Sequence, residues 1–123
     1  MDVEQVEYYL KNKEALYRDW YVKQIQYETS VYVGEQVGLI SDTIEYFNNF
    51  LDKQKNKLKQ RICPHSKEIK ECLSYVDTTL TAISLLEAVN KVAGYIDDLS
   101  FVGESEMVAF LLIMEYGLDN LCA

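Results

Sequence analysis

The chain has 123 residues, 49% of them apolar, with one proline, five glycines and a formal net charge of −8. That describes one domain over residues 1–123, able to bury a core unaided and too apolar for a disordered tail or a loop-rich secreted scaffold. No basic segment followed by an apolar run opens the chain, and its longest apolar run, MVAFLLIM, is far below the roughly 18 to 20 residues of a membrane span, so a cytoplasmic protein with no membrane segment is expected.

The charge is unevenly laid out. Residues 1–50 carry nine acids and four bases, residues 51–91 five acids and eight bases, and residues 92–123 six acids and no base. A field of this overall sign repels a phosphate backbone, so direct nucleic-acid binding is disfavoured and a basic host protein is the partner expected. Three cysteines at no framework spacing fit free thiols in a reducing compartment better than a disulfide network.

In chain order, a first amphipathic helix is predicted from residue 2 to about residue 28. Val6, Tyr9, Leu10, Leu16, Tyr17, Trp20 and Tyr27 share one face at about 100° per residue, while Glu4, Glu7, Lys11, Glu14, Arg18 and Asp19 lie opposite. Lys13 falls inside the apolar arc, where it must snorkel along the rings or meet a carboxylate. The stretch TSVYVGEQVGLI, with β-branched residues and two glycines, then reads as a connector open to linker, strand or kinked helix. A second helix is expected over residues 42–61. It has Glu45 three residues after Asp42 in capping-box fashion and an apolar stripe of Ile44, Phe47, Leu51, Leu58 and Ile62.

Pro64 suits the first turn of a third helix, whose stripe runs Ile69, Leu73, Val76, Leu80, Ile83, Leu86, Val89, Ala93 and Ile96. The sequence leaves open whether that helix is continuous through Asp77. A fourth helix within residues 104–116 is apolar nearly all round and stops at Gly117, which suits a left-handed cap. The expected fold is an all-α bundle of four or five helices.

Few residues carry a recognisable chemistry. YIDD, Tyr95 to Asp98, spells the paired-aspartate signature of reverse transcriptases, yet it closes a helical stripe in a chain too short for a polymerase palm. Its aspartates are expected to lead into the loop SFVGES and face water. Cys63, His65, Glu68 and Cys72 have metal-ligand chemistry but lack paired, short-spaced cysteines. Cys63 and His65 point apart at an i, i+2 spacing and cannot form a nucleophile pair. Neither a catalytic residue nor a metal or other cofactor is expected.

Lys53, Lys57 and Arg61 form one helical stripe and Lys55 and Lys59 another, expected to be solvated and neutralised within the chain because aromatics that would stack bases are not interleaved there. Seven of the ten tyrosines lie in residues 1–46. Tyr8 on the polar side of the first helix and Tyr32 in the connector are therefore candidates for interface contacts.

The layout VEQVEYYLKNKEALYRDW, a variable connector, a long helix and YIDDLSFVGESEMVAFLLIMEYG resembles small phage late-gene transcription regulators of the RinA and ArpU type. In that family a leucine, an acidic turn, an apolar helix, a tyrosine and a glycine open a helix-turn-helix. Here only LDNLCA follows the glycine, leaving no room for a recognition helix. The resemblance therefore implies a phage or mobile-element protein without the DNA-reading part.

Residues and resemblance together lead to the expectation of a non-enzymatic acidic regulator or inhibitor that docks on a host protein, whose nucleic-acid-binding surface it would occupy. Its contacts would be Asp97, Asp98, Glu104 and Glu106 with Tyr8 and Tyr32. The alternatives are a degenerate sigma-like regulator and an oligomeric binder of a small anionic ligand such as a nucleotide, using the lysine stripes and tyrosine stacking. The sequence also permits a homo-oligomer.

Overall fold

The computed structural model describes residues 1–29, 40–74 and 81–123, and every regular element among them is helical. The all-α bundle read from the periodicity is the fold observed.

Helix α1, Val3–Lys11, opens on a capping box: the Gln5 N–H donates to Asp2 Oδ1 (2.8 Å) and the Asp2 N–H donates to Gln5 Oε1 (2.9 Å). It ends at Asn12, whose backbone leaves the helical region at φ −136°, ψ 67°. The first helix is thus two helices, a correction to the single rod expected over residues 2–28. The physical reason is local. Asn12 turns its side-chain amide back to donate to the Tyr8 carbonyl (2.9 Å), the competition with backbone bonding that makes asparagine a poor interior helix residue. The Asn12 carbonyl then accepts from the N–H groups of Ala15 and Leu16, and α2, Lys13–Thr29, starts on those bonds.

Helix α3, Ile40–Ile62, leads through a 3-10 turn at Cys63–His65, with Pro64 in its first turn, into α4, Ser66–Ser74. Helix α5, Ala82–Ile96, is capped by Thr81, whose hydroxyl accepts the Ser84 N–H at 3.2 Å. Helix α6, Ser105–Leu111, relaxes into a π-helical turn, Leu112–Tyr116, and α7, Leu118–Leu121, follows. The connector between residues 30 and 39, including Tyr32, and the stretch with Val76, Asp77 and Leu80 lie outside the described residues.

Helix α5 is the central rod, packed against α1, α3, α4 and α6, while α2 packs on α3 and α6. Its inner face, Leu85, Ala88, Val89, Val92, Ala93 and Ile96, is buried, and the small alanines let neighbouring helices approach. Trp20 is fully buried, edge-on to Phe47 at 4.9 Å and to Phe50 at 5.4 Å, pairings worth about 0.5–1.5 kcal/mol each beyond their burial.

Among the described residues, most of the apolar positions read from the stripes are in this core or packed against it, but three are exposed. Leu10 is 39% exposed, Tyr27 48% and Ile83 65%. Leu10 sits beside the break at Asn12, and Ile83 lies in the first turn of α5 on the side away from Leu85. Gly117 has the positive φ expected of it, 93°, but its ψ of 130° is not that of a left-handed cap. It starts α7 instead, and its N–H closes the π turn on the Leu112 carbonyl at 2.8 Å.

Candidate functional site

The four carboxylates singled out in the sequence stand around the α5–α6 connection. Asp97 caps α5 and is exposed, and Asp98 follows it, so the two aspartates of YIDD do face water at a helix end. Glu104 is the residue before α6 and Glu106 lies in its first turn.

Their electrostatic states differ. Arg61 of α3 donates to both carboxylate oxygens of Asp98 (2.7 and 2.9 Å), which holds that carboxyl below its usual range. Glu106 pairs with the Met1 ammonium at 2.7 Å, and that hydrogen bond raises the ammonium's pKa. Two of the four are therefore engaged inside the chain.

The loop between them is held by α2. Gln24, almost fully buried, donates to the Phe101 carbonyl (2.8 Å) and accepts the Gly103 N–H (3.1 Å), while the Tyr27 hydroxyl donates to the Ser100 carbonyl (2.6 Å). A Cβ on Gly103 would stand 2.8 Å from that of Tyr27, so the close approach requires glycine. Sequence reasoning did not single out Gln24. The available signal was its position within the apolar arc of the helix, four residues after Trp20, where a polar side chain needs a buried partner.

Lys55, Lys57, Lys59 and Arg61 of the basic stripes each meet another part of the chain. Lys55 Nζ lies 5.7 Å from the centre of the Tyr116 ring, Lys57 Nζ lies 5.9 Å from that of Phe101, and Lys59 donates to the Ala123 carbonyl at 2.8 Å. The aromatics lacking in the local sequence thus arrive from the C-terminal third. At the same corner Cys63 is disulfide-bonded to Cys122, with Cα atoms 5.5 Å apart, and Lys70 pairs with Asp119 at 2.6 Å. This corrects the expectation of three free thiols; only Cys72, buried in α4, is free.

The disulfide also removes Cys63 from the metal-ligand set considered in the sequence. His65 is stacked on Tyr95 with ring centres 4.0 Å apart, and its Nδ1 lies 3.9 Å from Glu68. Among the described residues no group of three or more histidine, cysteine, aspartate or glutamate side chains is placed to hold a metal ion, and no helix is long and apolar enough to cross a membrane.

The α1 surface is different. By helical position its solvent arc runs Leu10, Glu7, Lys11, Glu4, Tyr8, all exposed, with the Tyr8 ring 53% exposed and edge-on to Tyr9 at 5.4 Å. Tyr9 itself points inward and donates to Asp19 at 2.5 Å, and burial, then that bond, pushes its hydroxyl pKa far above the usual value. Beyond Asn12, Lys13 meets Glu115 of the π turn at 3.5 Å, which resolves the expectation for that lysine in favour of a carboxylate. Tyr17 donates to the same carboxylate at 3.4 Å, and its pKa is pushed up to about 12, first by burial and then by the Glu115 charge. Comparison of the chain with protein-family models, with curated proteins and with solved structures gives no match.

Proposed function

We propose that this chain is a small acidic binding protein, a regulator or inhibitor of the kind phages and mobile elements encode, that docks on a basic surface of another protein and has no catalytic role of its own. The observation that carries this reading is the solvent arc of α1, where Glu4 and Glu7 stand between two exposed large side chains, Leu10 and Tyr8. Tyrosine offers large contact area at low entropic cost, and a carboxylate field speeds encounter with a basic partner. Asp97 adds open charge at the α5–α6 connection, whereas Asp98 and Glu106 would first have to leave Arg61 and the Met1 ammonium, and Glu104 is half-buried beside that same ammonium.

The test is capture from host lysate with the immobilised chain, comparing the wild type with a Glu4→Lys, Glu7→Lys, Tyr8→Ser variant and with Glu87→Lys on α5 as a surface control. The triple variant is expected to lose a basic protein that the other two retain, with retention falling as salt rises. Equal capture by all three would remove α1 from the reading. A low-salt gel shift with duplex DNA separates the regulator alternative, since the acidic-docking reading predicts no shift.

A further inference from the structure

Two helix irregularities meet at one place. The break at Asn12 and the π turn at Leu112–Tyr116 face each other across a cleft of about 70 Å³, lined by Tyr9, Leu10, Lys13, Leu16, Met114 and Glu115, with the buried Phe110 ring completing its wall. π turns are rare and are frequently found at functional sites. Here the turn leaves Met114 37% exposed opposite Leu10, so an apolar rim stands open to solvent over an apolar interior.

We propose that this cleft seats one apolar side chain from a lysine- and arginine-rich segment of a partner protein, with the acidic α1 arc engaging the flanking cations. The inference rests on the docking reading above and gives it an anchor point. Size decides the kind of occupant. The space takes the tip of one aliphatic or thioether side chain and is far below the roughly 300–1,000 Å³ of a small-molecule site. Methionine suits such an anchor site because its unbranched thioether adapts to the side chain it meets.

Charge decides the rest. Of the charged lining, Lys13 and Glu115 pair with each other, and on the exposed turns of α1 and α2 that flank them the carboxylates Glu4, Glu7 and Glu14 outnumber the cations Lys11 and Arg18. With a net charge of −8, a second copy of this chain or an anionic lipid surface meets repulsion at the same face, whereas a basic polypeptide meets attraction.

The probe is a displayed library of random linear peptides, selected on the full chain and mapped through methionine methyl NMR, with Met1 and Met107 as internal references for Met114. Selected peptides are expected to share one apolar residue flanked by lysine or arginine and to move the Met114 methyl signal while Met107 stays. Leu10→Glu or Met114→Glu should weaken binding at least about tenfold with an unchanged melting curve, and Ile83→Glu should not. Basic peptides that share no apolar residue and leave Met114 unmoved would overturn the cleft while leaving the acidic docking reading in place. Selection of acidic peptides, or of none, would overturn both.

Discussion

The α1 face and the corner where α3 meets the C-terminal turn are both charged surfaces, yet they use charge in opposite ways. At the corner, Arg61, Lys59 and Lys70 each find an oxygen within 3 Å, Lys55 and Lys57 lie over rings, and Cys63–Cys122 locks the arrangement. On α1, Glu4, Glu7 and Tyr8 stand in solvent, and beside them an apolar rim is left open. Counting charges would have drawn attention to the lysine stripes. Partner by partner, the corner is an internal fastening, whereas Glu4, Glu7 and Tyr8 of α1 are left open to solvent.

The largest way to break that contrast is from beneath the open face. Phe110→Asp places an unpaired charge against Tyr9 in the core and is expected to abolish cooperative unfolding and most helical circular dichroism, because burying that charge costs more than a domain's marginal stability. At the corner, Cys122→Ser, or reduction of the wild type, is expected to lower stability by about 4 kcal/mol, the chain-entropy value for a link spanning 59 residues. Denaturant melts with and without a reductant measure it. An unchanged midpoint would mean that the corner's ion pairs hold without the link.

Between the two regions lies the loop held by α2. Gln24→Ala leaves the Phe101 carbonyl and Gly103 N–H without their partner and should cost about 1–3 kcal/mol, and Gly103→Ala should cost a similar amount through crowding with Tyr27. Equilibrium unfolding of both variants, with amide exchange of the Ser100–Glu104 loop, would show whether that loop depends on α2.

Alkaline pH sharpens the comparison further. Tyr17 titrates near 10 when unfolded but at about 12 when folded, and Tyr9 is shifted in the same direction. A raised folded pKa means stability fully present below about pH 10 and lost as the pH climbs through about 12. Thermal melts across that window should fall less steeply for Tyr17→Phe than for the wild type. The smallest stability effect belongs to Glu4→Lys with Glu7→Lys, within about 0.5 kcal/mol because both side chains are solvated, although this pair should change binding most.

Within the candidate site, the exposure of Tyr8 and of the YIDD aspartates was legible in the sequence, the first from helical phase and the second from the end of the apolar stripe at Ile96, where the chain passes into a loop. The cleft was not. Leu10 read as core on an unbroken helix, and no signal placed it opposite Met114. The pairings of Asp98 with Arg61 and Glu106 with the Met1 ammonium join residues far apart in the chain and could not be read from either segment alone.

The amino-acid sequence by itself determined the helical class, the core positions of Val6, Trp20, Phe47, Leu58, Ile69, Val89 and Ile96, and the turn at Pro64, because periods and turn residues act over a few neighbours. Only the tertiary structure decided which charges would be left open, which cysteines would join and where two helix ends would form a cleft. Those outcomes depend on distances between segments dozens of residues apart, set by how α5 gathers its neighbours and not by any pattern along the chain.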